Sequence, residues 1–395
     1  MAVYTQSLVP ALALALALAS APRARALSCL DESGAAVGWW LVVKLHGSTT
    51  SYSYSDASSP AYSGPLRLKS GELDSPASAL GATLSQLIAT RGASVRVSWN
   101  DELPPKASAG ADGADSAATA AGAAGADSDA DSNVTSATSG HTKGVIGADA
   151  SGGFWLTHSL PKFPDLAAQA FSWGAASKLY GQTFLCVSLD AAGIDEAAQG
   201  VSFVDPLVYD SAVPSGALST LYPSVVALLA GARGSGTRQT NLSAVDGTKF
   251  THFGKSGSTG VDIYEDVIQP ALGVALLCET WLRPPVMPSY CAPQYAFDSI
   301  NVEAMQFLGP DGTTPERFRY TQDHTKLALA VNGTSQQHWI GIGDNNRMSS
   351  QWTRGGGMVF FRHAALYAPL LASVVELQPC PAAAGVGALR ETIEK

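Results

Sequence analysis

Two of the seven histidines in this 395-residue chain stand in the same setting. His141-Thr142-Lys143 opens the stretch GHTKGVIGADA, and His324-Thr325-Lys326 opens DHTKLALAV. With ten lysines in the whole chain, two matched His-x-Lys pairs arise by coincidence on the order of once in a hundred, and the shared threonine lowers that further. In extended backbone, residues two apart point the same way, so each triplet presents an imidazole beside an ammonium. Two such pairs facing one another suit cleavage of a phosphodiester. A neutral imidazole attacks phosphorus and carries it covalently, while a protonated one gives its proton to the departing sugar oxygen. The two ammonium groups balance the charge that gathers on the non-bridging oxygens in the transition state. No metal and no organic cofactor is called for. One imidazole must be neutral and the other charged, which sets the working range in mild acid. The alternative for either triplet is an ordinary solvated strand end; it is their matching that speaks against it.

The elements that must carry these groups are short apolar runs bounded by Gly, Ser or Asp. VGWWLVVKL, ASVRVSW, GVIGADA, GFWLTHS and TFLCVSL read as buried strands in the first half, and ALGVALLCETWL, NVEAMQFL, KLALAV and HWIGIG in the second. GVDIYEDVIQPALG has helical spacing at Val261, Tyr264 and Val267, with Pro270 expected to kink or end it. ALYAPLLASVVEL reads as a closing helix that Pro379 stops. Strands and helices mix in both halves, which predicts an α/β or α+β sheet architecture.

Composition narrows the setting. A leader is expected over residues 1–26, where an apolar run ends in Ala24-Arg25-Ala26, the small-x-small pattern of signal peptidase, giving a mature start at Leu27. No later segment is apolar enough to span a bilayer, so no membrane anchor is expected in the mature chain. Five cysteines leave one without an intrachain partner, and Cys278, in an apolar run, is the expected free thiol. Sequons at Asn133, Asn241 and Asn332 fit the secretory route. The net charge of -9 argues against nucleic acid as a partner at neutral pH. Five of the acids, however, lie between Ala107 and Gly140 in an Ala/Gly/Ser/Asp stretch with no Lys or Arg, and histidine protonation in acid offsets more. That stretch, about residues 104–139, has neither aromatics nor an apolar period and reads as a disordered surface insertion.

Taken in order, VGWWLVVKL, GHTKGVIGADASGGFWLTHSLPKFP, YGQTFLCVSL, HFGKSGSTGVDIYEDV, DHTKLALA, GDNNRMSSQWTRGGGMVF and LQPC resemble the landmarks of the deoxyribonuclease II family. The resemblance covers nearly all of the mature chain; only the Ala/Asp-rich stretch has no counterpart. It implies a phospholipase D-like α/β fold, in which two mixed-sheet halves flanked by helices, residues 27–200 and 201–395, meet across a pseudo-twofold axis at one active site. It also implies metal-independent endonucleolytic hydrolysis of DNA to 3'-phosphate and 5'-hydroxyl ends, by a lysosomal or extracellular protein. His141 and Lys143 would come from the first half and His324 and Lys326 from the second. By analogy attack falls to His141 and leaving-group protonation to His324, with the opposite assignment left open by the symmetry.

Asp149 and Asn346, downstream of the two triplets, are candidates to orient an imidazole, and Asp344 competes with Asn346. His158, in WLTHSLP, matches a family position linked to activity, against a core role for the same ring. Lys255 either contacts backbone phosphate or is solvated. His46, His252, His338 and His363 receive no role. The landmarks imply disulfides Cys29–Cys186 and Cys291–Cys380, each closing a loop worth roughly 4–5 kcal/mol in the chain-entropy model. A further family disulfide would fall near Ala328 and Gly341, where this chain has no cysteines, and Leu327 replaces a familiar Trp. Two other readings remain: a catalytically silent secreted DNA-binding glycoprotein, and a phosphodiesterase acting on lipid or oligonucleotide ends.

Overall fold

The computed structural model describes residues 26–104, 139–163, 166, 178–331 and 337–380. The expected leader up to Arg25, most of the Ala/Asp-rich stretch, and the sequons at Asn133 and Asn332 lie outside the described residues. Asn241 lies exposed on a strand.

A two-stranded ribbon, β1 (Cys29–Leu30) and β2 (Ala36–Val37), precedes two large sheets. The first holds β3 (Trp39–Lys44), β4 (Ser51–Asp56), β5 (Lys69–Ser70), β6 (Val95–Trp99), β7 (Gly144–Asp149), β8 (Gly152–His158), β9 (Gln182–Asp190) and β10 (Val208–Ala212). Their spatial order is β10-β6-β7-β8-β9-β3-β4-β5. The second holds β11 (Thr237–Ser243), β12 (Lys249–Lys255), β13 (Ala275–Glu279), β14 (Ser299–Leu308), β15 (Pro315–Arg319), β16 (Leu327–Val331), β17 (Trp339–Gly343) and β18 (Gly356–Arg362). Here the order is β11-β12-β18-β17-β16-β13-β14-β15, with β19 (Val374–Leu377) beside β14. Among the described residues the helices are α1 (Ala79–Ala89), α2 (Ala191–Val201), α3 (Ala217–Leu221), α4 (Pro223–Leu229), α5 (Gln269–Leu272) and α6 (Ala364–Ala372). The result is a mixed α/β protein.

β3, β6 and β8 are buried at every residue: β3 is apolar up to its closing Lys44, while β6 and β8 also enclose polar residues, Arg96, Ser98, Thr157 and His158. Alternation then sorts their side chains. Trp39, Leu41 and Val43 enter a central core shared with Phe250, Leu277, Leu329 and Ile340 of the second sheet. Trp40 and Val42 face the other way, onto Leu80, Leu84 and Leu87 of α1. The second sheet sends Phe253, Leu276 and Phe360 outward onto Ile263, Tyr264 and Ile268. The sheets thus pack face to face, each with a helical element on its outer side.

Six strands match between the sheets: β6-β7-β8-β9-β3-β4 corresponds to β13-β16-β17-β18-β12-β11 in order, every neighbouring pair antiparallel. Mixed sheets were expected in both halves. The first sheet is antiparallel throughout. Only the second has a parallel pair, β13 with β14, because the long connection between them lets the chain cross over.

Two elements differ from expectation. The closing helix stops at Ala372, and Val374–Leu377 instead becomes β19 on β14, where β-branched Val374 and Val375 suit a pleated edge. The segment around Tyr264 forms a π-helical turn, Ile263–Ile268, before α5; Pro270 sits in the first turn of α5 rather than ending it, and Gly273 closes it at φ 68°. Disulfides join Cys29 to Cys186 and Cys291 to Cys380, leaving Cys278 free and buried on β13. Ala328 and Gly341 are direct cross-strand partners, so the place of the missing family disulfide is filled by hydrogen-bonded β16 and β17 alone.

Candidate active site

Both triplets immediately precede a strand, His141 to Lys143 before β7 and His324 to Lys326 before β16, rather than lying within one. The two strands belong to different sheets, yet the imidazoles face each other with ring centroids 6.2 Å apart and planes at 63°. That separation is on the order of two near-attack distances of about 3–3.5 Å. His141 is 7% exposed and His324 6%, so each ring is enclosed but reachable.

The tethering is reciprocal. Nδ1 of His141 donates to the Asp344 carbonyl at 2.6 Å, and its backbone N–H to the Gly355 carbonyl at 2.8 Å, both in the second half. Nδ1 of His324 donates to the Ser159 carbonyl at 2.8 Å, and its N–H to the Gly181 carbonyl at 3.0 Å, both in the first half. A carbonyl can only accept, so Nδ1 carries the proton in each ring. The Nε2 lone pair of a neutral ring is left for phosphorus, and of a charged ring Nε2–H is left for a leaving oxygen. Ser159 and Asp344 occupy matching positions, one residue past the end of the hairpin strand beside each triplet: His158 N–H reaches the Lys143 carbonyl and Gly343 N–H the Lys326 carbonyl.

The neighbours of the two rings differ. Trp99 lies opposite Gly144 and Glu279 opposite Leu327, the residues that follow the two lysines. Two residues beyond each strand end stand Asp101 on one side and Trp281 on the other. In the same way Arg354 and Tyr180 precede the tethering glycines, Gly355 and Gly181. Around His141, therefore, Asp101 Oδ2 lies 3.5 Å from Nε2, Lys143 Nζ meets Asp101 Oδ1 at 2.5 Å, and Arg354 lies 3.5 Å from the same carboxylate. Around His324, Trp281 packs edge-on at 4.7 Å and Tyr180 lies 6.5 Å away. Lys326 is fully buried and donates to the carbonyl of His324 at 2.7 Å.

Burial sets the electrostatics. Desolvation first, then Lys143, Arg354 and Lys326, hold His141 well below the ordinary imidazole value. Desolvation, then Lys326 and Lys143, do the same to His324. The Lys326 ammonium is brought down to about 7, by burial and then by Lys143. Burial would push the Asp101 carboxyl up, but Lys143 and then Arg354 outweigh it and keep the group below its usual range. Burial pushes Asp344 up to about 7 and raises Glu279, whose oxygens have no hydrogen-bond partner among the described residues, well above its usual value. Asp101 is accordingly the carboxylate that the cations of the site hold in its ionised form.

Comparison with known proteins fits this arrangement. The chain is 31% identical to deoxyribonuclease-2-alpha of Rattus norvegicus over 371 residues, 90% of this chain and 95% of that one. It is 29% identical to plancitoxin-1 of Acanthaster planci, over 90% and 93% of the two chains. It is 31% identical to a putative deoxyribonuclease-2 of Burkholderia thailandensis, over 90% and 94%. The sequence profile of deoxyribonuclease II matches residues 28–380. The chain belongs to the deoxyribonuclease II family. As a member it is a hydrolase of the nuclease class, one that degrades DNA.

Of the residues expected at a deoxyribonuclease II site, the structure brings together His141, Lys143, His324 and Lys326. Asp149 is elsewhere, at the far end of β7, where Oδ2 accepts the Leu27 N–H at 2.9 Å and Oδ1 the Ser151 N–H at 2.7 Å. The Asn346 Oδ1 accepts the Trp281 N–H at 3.2 Å and so holds the wall of His324. Asp344 does orient His141, but through its carbonyl, while its carboxylate accepts the Lys143 N–H at 3.3 Å. His158 stacks on Phe163 at 4.2 Å inside the first half's outer core, one residue before the carbonyl that tethers His324. Lys255 is neither solvated nor open to phosphate: it is 1% exposed, and Nζ donates to the carbonyls of Gln351, Trp352 and Arg354. Asp101, Arg354, Tyr180 and Trp281 went unnoticed in the sequence. Aligning the halves on their triplets and setting the residues after RVSW beside those after LLCE would have raised Asp101 and Trp281. Among the described residues no group of three or more His, Cys, Asp or Glu side chains is placed to hold a metal ion.

Proposed function

We propose that this chain is an acid endodeoxyribonuclease that hydrolyses DNA through a phosphohistidine, without metal, leaving 3'-phosphate and 5'-hydroxyl ends. The observation that carries the reading is the pair of imidazoles 6.2 Å apart, each fixed through Nδ1 by the opposite half. His141 Nε2 attacks phosphorus; the bond to the 5'-oxygen breaks as His324 hands it a proton. Water then attacks the phosphohistidine, giving up a proton to His324 and freeing His141. Lys143, Lys326 and Arg354 face the non-bridging oxygens.

Residues 27–200 and 201–395 act as the two halves of a phospholipase D-like scaffold, except that β10 (Val208–Ala212) crosses back to pair with β6 of the first sheet; the six strands that share order and direction support the reading. Two disulfides and an exposed sequon at Asn241 support passage through an oxidising secretory route to a lysosomal or extracellular destination. The substrate brings negative charge that the buried cations lack, and mild acid limits repulsion from the chain's own excess of acids.

Plasmid nicking at about pH 5 with excess chelator tests the reading, because the working range of the imidazoles lies in acid. Wild type nicks, and His141→Ala and His324→Ala each fall by on the order of a thousandfold. Activity that depends on added magnesium, or that survives either substitution, overturns it.

A further inference from the structure

His324 and His141 share a tethering scheme but face different walls, and the wall beside His324 has no part in the chemistry so far assigned. Trp281 is 6% exposed and lies against His324, while Tyr180 is half-buried and sits 4.7 Å from Trp281 at a tilt of 43°. Tyr180 is thus the outer, accessible ring of the pair and Trp281 its backing. We propose that Tyr180, backed by Trp281, is the stacking platform for the nucleobase of the leaving nucleoside, the one released with a free 5'-hydroxyl.

The inference deepens the hydrolytic reading above and takes from it that His324 protonates the leaving oxygen. The nucleoside attached to that oxygen must lie on the His324 side of the phosphate, and the ring centroid of Tyr180 is 6.5 Å from that imidazole, a distance a single nucleoside bridges. The platform is held in place before any substrate arrives. The Leu179 carbonyl accepts from Gly47 N–H at 3.2 Å, Gly181 N–H donates to the Gln322 carbonyl at 3.0 Å, and the Gly181 carbonyl takes the N–H of His324 itself. Lys44 Nζ gathers the carbonyls of Leu45 and Ser48 at the end of the neighbouring strand, with that of Lys178 at 3.5 Å. Leu179, 62% exposed, extends the apolar surface outward. At the matching positions of the opposite wall stand Asp101 and Arg354, an ion-paired carboxylate and guanidinium suited to a phosphate. Because every base has a π-face, a single stacking tile grips any of the four without reading sequence.

The test uses oligonucleotides in which one residue has the sugar but no base, with products mapped to the nucleotide in acid. Wild type should cleave about tenfold more slowly at the phosphate whose 3'-side neighbour lacks its base, and at the ordinary rate when the 5'-side neighbour lacks it. Tyr180→Leu should be about tenfold slower on intact DNA and indifferent to the missing base, whereas Tyr180→Phe keeps both rate and discrimination. The inference is overturned if Tyr180→Leu matches wild type, if its abasic penalty persists, or if the penalty follows the 5'-side neighbour. The abasic measurement on wild type stands even where a variant fails to fold. Absence of any cleavage by wild type would strike the hydrolytic reading instead.

Discussion

Around His141 the protein places a carboxylate and a guanidinium; around His324, at the matching positions, it places an indole and a phenol. The backbone that holds the two rings is nevertheless the same on both sides, down to the carbonyl that takes each Nδ1 proton. The lesson is that geometry and chemistry are carried by separate residues here. Backbone carbonyls, which a substitution cannot easily remove, fix where the imidazoles point, leaving side chains two residues past a strand or one before a glycine free to make the sides unlike. A site with two equal sides has no reason to cleave in one direction, and unlike walls are what the proposed one-directional cleavage requires.

The sharpest way to break the comparison is to ask which ring becomes phosphorylated. A leaving group as good as 4-nitrophenolate needs no proton, so His324→Gln should release a burst of it from a nitrophenyl phosphodiester and then stall, holding phosphorus covalently. His141→Gln should give neither burst nor label, and on DNA both variants should lose on the order of a thousandfold. Rapid denaturation at alkaline pH, where a phosphorus–nitrogen bond survives, followed by mass measurement of the intact chain decides it. Label on the His324→Gln protein supports attack by His141; label on the His141→Gln protein reverses the roles of the two walls.

Charge offers the next test. After burial, Lys326 is the largest influence holding His324 below the ordinary imidazole value. A proton donor with a lowered pKa is charged only in acid, so kcat/KM should fall as pH rises through that lowered value. Lys326→Met removes part of the depression. Its falling limb should move to higher pH even as the rate in acid drops by roughly tenfold to a hundredfold, from the charge lost at the phosphate. A pH profile of the variant lying on or below that of wild type in pH would show that Lys326 does not act on His324.

A smaller effect separates scaffold from wall. Lys44 ends β3 and Lys255 ends β12, matching strands, and each buried ammonium collects three backbone carbonyls next to a wall residue. Burial lowers each to about 8, so both are charged throughout the acid range. Lys44→Met and Lys255→Met should each cost about 2–3 kcal/mol in urea unfolding, the penalty for stranding buried carbonyls. Their kinetic signatures should differ. Loosening the Arg354 loop in Lys255→Met should raise KM for any DNA, whereas loosening the Tyr180 segment in Lys44→Met should weaken discrimination against a missing base. Identical signatures would mean that the walls do not act separately.

Much of this was legible in the sequence because apolar runs and the repeated triplet are local signals. The buried strands follow from VGWWLVVKL and GFWLTHS, and the facing of His141 and His324 from the repeat. What escaped was set by register and by backbone. No pattern in GDNNR announces that Asp344 acts through its carbonyl, since any residue has one. Lys255 looks like a surface lysine until β12 delivers it to the carbonyls of a loop about a hundred residues on. Val374 and Val375 continue a helical pattern, and the exposed edge of β14 is what turns them into a strand. Tyr180 and Trp281 lie far apart in the chain, and only the crossing of the two halves sets them side by side.

Asp149 is the residue on which the local and the spatial readings disagree most, and its effect should be the smallest. Six residues of extended chain, roughly 20 Å, separate it from Lys143 and the phosphate site. Its two oxygens are engaged by the N–H groups of Leu27 and Ser151, at the edge where the chain's first described residues join the sheet. An amide at this position keeps one acceptor and loses the other, so Asp149→Asn should cost about 1 kcal/mol of stability and leave DNA hydrolysis within about twofold of wild type. A pH profile superposable on that of wild type would confirm that neither wall feels its charge. A loss of a hundredfold or more with an unchanged unfolding midpoint would instead place a third acidic group in the reaction, and the division of the site into one charged side and one aromatic side would have to be redrawn.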